Sequence, residues 1–192
     1  THEPVEQLAM FRAMPNINVF RPADATETAA GWYLAITSEK TPTALVLTRQ
    51  NLPQLAGSSK DALKGAYVVS DAKKDTPDGI FIASGSEVSL AIEAQEVLAA
   101  EGIDVRVVSM PCMDLFEQQS ASYKESILPK KIRARVAVEA AMDFGWGRYT
   151  GLDGAAVTME GFGASAPAGV LFKKFGFTKE HVAEVMRKVV KG

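Results

Sequence analysis

Cysteine and histidine are scarce in this sequence of 192 residues, which contains one Cys and two His. A single cysteine, Cys112, excludes an internal disulfide framework and is typical of a reducing compartment, so we expect a cytoplasmic location. An excess of charge of one sign is also missing, because 21 Lys and Arg stand against 23 Asp and Glu. This balance gives no electrostatic reason to expect nucleic acid or an anionic membrane as a partner.

Long hydrophobic runs are absent as well. No apolar stretch approaches the length of a bilayer span, and no charged segment precedes a hydrophobic one at the N-terminus, so we expect no membrane partner. What remains is an ordinary globular composition, 47% hydrophobic and 23% charged. The length suits one domain, or one domain plus part of another.

The first fifty residues alternate helix, strand, helix and strand. Pro4 suits a first helical position, and apolar residues follow at helical spacing; residues 17–20 and 43–48 form two apolar strands. Asp24 and Glu27 have capping-box spacing before the second helix. Two strands and two helices without a lead-in predict the back half of a larger α/β domain rather than a free-standing subdomain.

Residues beyond 50 contain Pro, Gly and Ser with little periodicity, which is typical of a linker. We therefore predict a partial α/β domain at 1–55, a linker at 56–64 and a complete α/β domain at 65–192.

The C-terminal domain alternates strands and helices. Predicted strands cover 65–71, 79–85, 104–110, 134–140 and 155–160, and predicted helices cover 86–102, 114–128, 166–176 and 178–190. Such alternation implies right-handed crossovers, so the predicted fold class is α/β, with a mostly parallel sheet covered by helices on both faces.

Two residues stand out as candidates for chemistry. Arg49 directly follows the second strand, and ligands of open α/β sheets bind at the carboxyl ends of strands, where a guanidinium matches a phosphate. The alternative is an arginine that bridges to the linker or a neighbouring domain. His2 precedes a helix start and could donate to an oxyanion or move a proton, or it could be frayed chain.

Other reactive residue types favour structural interpretations. His181 is isolated on a helix and is predicted to be exposed, while Cys112 is predicted to pack as a small hydrophobic residue. No cluster of metal ligands occurs, and Glu117, Glu125 and Glu139 form no pair that suits a general acid and base.

Three glycine-containing turns have two interpretations each. Residues 83–89 and 161–169 lead into helices and could cradle an anion, although packing turns are the more frequent role of such segments. Residues 144–151 cluster aromatic side chains with an arginine, which suits a subunit contact or a well-packed loop.

Five segments, in this order and with sensible spacing, resemble the C-terminal part of the transketolases: THEPVEQLAMFRAMPNINVFRPADATET, TALVLTRQNLP, IASGSEVSLA, AVEA with GWGRYTG, and GFGASAPAGVLFKKFGFT. The similarity extends over essentially the whole chain. LTRQNLP is specific enough to argue against deoxyxylulose phosphate synthase, a sibling thiamine enzyme.

The resemblance implies an enzyme that moves a two-carbon ketol unit from a ketose phosphate to an aldose phosphate with thiamine diphosphate and a divalent metal, Mg or Ca. It implies a homodimer whose active site lies between subunits, and it makes residues 1–55 the distal half of a pyrimidine-binding domain. His2 falls on a histidine that contacts the substrate and could share in proton transfer. Arg49 falls on an arginine that binds the substrate phosphate.

The family's catalytic glutamate, its aromatic thiamine pocket and its GDG motif have no counterpart here. We therefore expect a fragment cut at Thr1, inactive by itself, with no cofactor or metal bound on this chain alone. The alternative is a separately encoded, non-catalytic subunit or assembly module that docks on a thiamine-enzyme partner.

Overall fold

A computed structural model describes residues 3–192. Within that range the helices are Gln7–Ala13 (α1), Ala25–Thr37 (α2), Glu87–Ala100 (α3), Met113–Glu117 (α4), Ala121–Ile127 (α5), Gly147–Thr150 (α6), Ala168–Lys174 (α7) and Lys179–Lys191 (α8). The strands are Asn18–Phe20 (β1), Thr43–Leu45 (β2), Tyr67–Ser70 (β3), Gly79–Ala83 (β4), Val105–Ser109 (β5), Arg135–Met142 (β6) and Ala155–Met159 (β7).

The C-terminal strands form one five-stranded sheet in the order β3-β5-β4-β6-β7. The β4–β5, β4–β6 and β6–β7 pairs are parallel, and only β3 runs antiparallel, against β5. From β4 the chain crosses to β5 on one side and then to β6 on the other, so the strand order reverses between β4 and β6. The predicted α/β class with a mostly parallel sheet is confirmed.

Strand β4 is buried on both faces because helices cover the sheet from both sides. Phe81 and Ala83 belong to a core that includes residues of α3 and α8. Ile80 and Ile82 point the other way, into a core with Phe116 and with residues of α5 and α6. A continuous apolar run without alternation is the pattern expected of such a strand.

One predicted helix is wrong. Residues 114–128 form two helices, α4 and α5, rather than one, and Gln118 to Ser120 separate them. Ser120 Oγ accepts a hydrogen bond from Tyr123 N at 3.2 Å, so this serine caps α5. Serine competes for local backbone hydrogen bonds and favours such a cap over a helix interior.

The N-terminal part contains a two-stranded parallel sheet of β1 and β2, with Asn18 opposite Thr43. Its elements are shorter than predicted: α1 begins at Gln7 instead of Pro4, and β2 ends at Leu45 instead of residue 48.

Asp24 caps α2 as predicted by accepting from Glu27 N at 2.9 Å. The carboxylate of Glu27, however, accepts from Ala23 N at 2.7 Å, one residue before the cap.

The predicted linker at 56–64 contains a short 3₁₀ helix, Lys60–Lys64, and Ala62 in that helix is fully buried. The chain therefore stays in contact with the body of the protein as it passes from one part to the other. The division at 1–55, 56–64 and 65–192 stays a prediction.

None of the helices in residues 3–192 combines the length and apolar character that a membrane crossing requires.

Candidate functional site

The carboxyl ends of β1 and β2 lie at the same edge because the two strands are parallel. Arg21 follows β1 directly, and Arg49 follows β2 by four residues, in a bend. Arg49 is exposed. The residues on either side of Arg49 in the sequence line a shallow cavity of about 250 Å³. The lining residues follow β1 and β2: Pro22, Asp24, Ala25, Thr28, Leu47, Thr48, Gln50, Asn51 and Leu52.

The other predicted site residue, His2, lies outside the described residues, which begin at Glu3. The backbone immediately after it is tied to the C-terminal domain. Glu3 O accepts a hydrogen bond from Gly163 N at 2.8 Å, and Val5 O accepts one from Met142 N at 2.9 Å.

Arg21 is buried at the point where the strand order of the large sheet reverses. Its Nη1 donates to Ser84 O at 2.6 Å, to Ser84 Oγ at 3.1 Å and to Glu87 Oε2 at 2.6 Å. The side chain of Arg21 is 8% exposed and that of Glu87 is 0% exposed. The resulting ion pair joins the end of β1 to the turn between β4 and α3.

The turn at 83–89 packs against Arg21. Gly85 N donates to Arg21 O at 3.1 Å. Gly85 has a φ of +58°, and a Cβ there would lie 2.6 Å from Arg21 Cζ. Glycine is needed at this position both for the left-handed backbone and for the close approach of the guanidinium. The packing interpretation of this turn is confirmed.

Glu139 in β6 forms a second buried ion pair, with Arg12 of α1. Arg12 Nη1 and Nη2 donate to its two carboxylate oxygens at 2.7 and 2.8 Å. Ser84 Oγ and Trp146 Nε1 also donate to it, at 2.5 and 2.9 Å. Burial would raise the pKa of Glu139, but the opposing effect of Arg12 and the other donors lowers that pKa to about 2.

Glu27 in α2 is a third fully buried carboxylate, and its partners are not cations. Its Oε1 accepts from Ser109 Oγ at 2.6 Å and from Tyr67 Oη at 2.8 Å, and its Oε2 accepts from Ala23 N. Burial raises the pKa of Glu27, although all three donors favour the ionised form. This group connects α2 to β3 and β5.

The contacts that the buried carboxylates and arginines make between the two parts were not predicted from the sequence. Arg21 could have been found, because it follows an apolar strand just as Arg49 does. Glu139 was considered only as a possible acid or base. Its partner Arg12 is 127 positions away in the chain, and nothing in the local sequence links the two.

The other residues named in the sequence analysis differ in their burial. His181 is exposed, and Cys112 is buried, with burial raising the pKa of its thiol to about 11. In the loop at 144–151, Trp146 and Tyr149 are buried while Phe144 is 69% exposed. In residues 3–192 no group of three or more His, Cys, Asp or Glu side chains could hold a metal ion.

The pKa of Glu139 predicts how stability depends on pH. The folded-state pKa is about 2 and the ordinary value is 4.5, so the stabilisation is complete above pH 4.5 and is lost as pH falls toward 2. The loss should be on the order of 3 kcal/mol. Urea unfolding at several pH values from 5 to 3 should show a steeper fall in the free energy of unfolding for the original chain than for Glu139→Gln. This control lacks the titrating carboxyl of Glu139 and keeps the other buried carboxylate, Glu27. Parallel pH dependences would contradict the prediction.

Comparisons with known proteins identify the class in which this arrangement occurs. A family model of the transketolase pyrimidine-binding domain matches residues 1–54, and a model of the transketolase-like C-terminal domain matches residues 65–178. The class is therefore that of pyrimidine-binding and C-terminal domains of thiamine enzymes. Because the second model alone covers more than half of the sequence, the chain belongs to the transketolase family.

Known transketolases extend well beyond this sequence. The Bacillus subtilis transketolase is 55% identical over 194 residues, which cover 99% of this chain and 29% of that protein. A transketolase structure from Pichia stipitis in complex with sedoheptulose 7-phosphate is 48% identical, with a TM-score of 0.93, over 99% of this chain and 27% of that one. The chain thus spans less than a third of the length of these relatives.

A second similar structure is a split-gene transketolase described as an inactive β4 tetramer. It is 26% identical, with a TM-score of 0.78, over 99% of this chain and 62% of that chain.

Proposed function

We propose that this chain supplies the phosphate-binding part of a transketolase active site, together with a substrate-contacting histidine. The complete enzyme transfers a two-carbon ketol unit from a ketose phosphate to an aldose phosphate. The observation that carries the proposal is the exposed Arg49 beyond the carboxyl end of β2, in a chain that belongs to this family. Carboxyl ends of parallel strands are the usual ligand-binding edge of α/β sheets.

Arg49 would pair with the terminal phosphate of the sugar, because a guanidinium can donate two parallel hydrogen bonds to phosphate oxygens. His2 would hydrogen-bond substrate oxygens and take part in proton transfer. Both roles rest on the resemblance of LTRQNLP and THEP to the family's motifs.

Thiamine diphosphate supplies the carbanion chemistry of the complete enzyme. Among the described residues, no group of three or more His, Cys, Asp or Glu side chains could hold the divalent metal, Mg or Ca. Metal and diphosphate ligands would therefore come from other parts of a homodimeric enzyme. The isolated chain should accordingly show no ketol transfer.

A separately encoded subunit is the second candidate. The similarity to a split-gene transketolase favours it, because this chain aligns over almost its full length with that shorter protein. In this case the chain would act only after docking on a partner that contributes the remaining domains. The two candidates assign the same roles to Arg49 and His2.

Replacement of Arg49 tests the proposal. The protein to use is a chimera in which this chain replaces the matching residues of the Bacillus subtilis transketolase. Arg49→Ala should lower kcat/KM for sedoheptulose 7-phosphate by roughly 10- to 100-fold, because a charge-assisted hydrogen bond contributes about 1.5–3 kcal/mol. The value for an unphosphorylated ketose should change by less than about 3-fold, since no phosphate is present to lose the contact.

Arg133→Ala is the matched control. Arg133 is also exposed, but it lies just before β6, at the amino end of a strand in the five-stranded sheet. It should affect neither substrate. Equal losses with both ketoses, or no loss with either, would refute the phosphate-binding role of Arg49.

A further inference from the structure

We propose that the C-terminal domain positions the segment that carries His2, and that Glu139 is the positioning residue that fixes this segment. The inference rests on the proposed role of His2 in the ketol-transfer site. The C-terminal domain would then contribute to the ketol-transfer site by positioning a residue of the N-terminal segment, without contacting the substrate itself.

Three connections hold the N-terminal segment on the C-terminal domain. Two are the backbone hydrogen bonds from Gly163 N to Glu3 O and from Met142 N to Val5 O. The third is the double hydrogen bond from Arg12 to Glu139. Glu139 and Met142 lie in β6, and Gly163 lies just after β7, the strand that pairs with β6. These neighbouring parts of the C-terminal domain therefore hold the segment from Glu3 to the end of α1.

The Glu139 carboxylate is fixed in place by its hydrogen bonds, so it can position the residue that it binds. Its two oxygens receive four hydrogen bonds, two from Arg12, one from Ser84 and one from Trp146, and its side chain is 0% exposed. Arg12 also stacks over the Trp146 ring, with Cζ 5.5 Å from the ring centroid. A bidentate guanidinium–carboxylate pair fixes orientation as well as distance.

The location of the pair supports a docking role for this domain. In open α/β sheets, ligands occupy the crevice where the strand order reverses, which here lies between β4 and β6. That crevice receives Arg21 from the end of β1 and Arg12 from α1. The N-terminal part of the same chain therefore occupies the place at which a domain of this fold would bind a small ligand.

The same connections bear on His2 more directly than on Arg49. His2 directly precedes Glu3 in the sequence, and the backbone of Glu3 is hydrogen-bonded to Gly163. Arg49 follows β2, which pairs with β1 and packs against α2. Loosening the Arg12–Glu139 pair should therefore displace the histidine while leaving the phosphate-binding arginine in place. A displacement of about 1 Å can cost on the order of 100-fold in rate.

A double-mutant cycle in the chimeric holoenzyme tests this proposal. Glu139→Gln keeps the shape of the side chain and removes its charge. It should lower kcat by roughly 10- to 100-fold and change KM for sedoheptulose 7-phosphate by less than about 3-fold. Glu101→Gln, which removes the same charge from an exposed pair with Arg187, is the control and should leave kcat unchanged.

The decisive readout is non-additivity with His2. In a His2→Ala background, Glu139→Gln should have no further effect, because the group that it positions is gone. In an Arg49→Ala background its effect should be undiminished. Equal effects of Glu139→Gln in the original and His2→Ala backgrounds would overturn the proposal, as would an unchanged kcat in the original background.

Failure of the proposed function would be seen separately. If the unmodified chimera binds thiamine diphosphate without transferring ketol units, or if His2→Ala has no effect, the function is wrong before Glu139 is considered. If Glu139→Gln does not bind the cofactor, Arg12→Lys enters the same cycle in its place. It keeps the charge pair and loses the bidentate contact, and its additivity with His2→Ala would overturn the proposal equally.

Discussion

Replacement of Arg21 by Met should lower the free energy of unfolding of this chain by about 3–5 kcal/mol, a range typical of breaking a buried ion pair by removing one partner. Arg21 donates to Glu87 at 2.6 Å, and the Glu87 side chain has no exposed surface. Methionine fills a similar length, but it leaves the carboxylate buried without its cation. The cost arises mainly from that uncompensated charge.

Two further variants separate this cause from simple loss of packing. Arg187→Met removes the partner of Glu101 in a pair that is 28% and 40% exposed, so it should cost less than about 1 kcal/mol. The double variant Arg21→Met with Glu87→Gln should be more stable than Arg21→Met alone, because the buried charge is gone. Urea unfolding monitored by circular dichroism measures all of these values. A cost for Arg21→Met as small as that for Arg187→Met would contradict the explanation.

Replacement of Gly65 by Ala should cost more than about 3 kcal/mol. Gly65 ends the 3₁₀ helix with a φ of +87°, and a Cβ at that position would lie 2.2 Å from Phe116 N and 2.4 Å from Cys112 O. Both contacts are to backbone, which cannot move aside as a flexible side chain can. Steric overlap with backbone therefore adds to the cost of a left-handed conformation, which is roughly 1–2 kcal/mol for a residue with a Cβ.

Gly102→Ala separates the two contributions. Gly102 has nearly the same backbone angle, with a φ of +81°, but a Cβ there would have no neighbour within 4 Å. This variant should cost about 1–2 kcal/mol through the backbone angle alone. Thermal and urea unfolding of the two variants supply the comparison. Equal costs would show that the close approach of Gly65 to the backbone of α4 is unimportant.

The part of the fold that follows from local patterns was predicted well. The continuous apolar run at 79–83 became a strand buried on both faces, and the glycine after α3 ends that helix with Gly102 N and Ile103 N donating to Ala99 O and Leu98 O. The single helix predicted over 114–128 was wrong because Ser120 offered a cap that periodicity does not reveal.

Some features of the candidate site were also predicted from the sequence, and others were not. Position at the end of a strand singled out Arg49 from the residues alone, whereas its phosphate-binding role and the importance of His2 depended on the family resemblance. The contacts of Arg12 and Arg21 with the C-terminal domain were invisible, because they join residues that are 127 and 66 positions apart. Such pairings are set by how the two parts dock, and a local pattern carries no information about docking.

One measurement tests the proposed function most directly, namely thiamine diphosphate-dependent ketol transfer by the chimera with the Bacillus subtilis transketolase and by this chain alone. The chimera should transfer ketol units from sedoheptulose 7-phosphate at a rate within about 10-fold of the unmodified enzyme, since misplacing a site built at this interface by 1 Å would cost roughly 100-fold. The chain alone should show no transfer. A chimera that binds the cofactor but transfers nothing, or transfer by the isolated chain, would contradict the assignment.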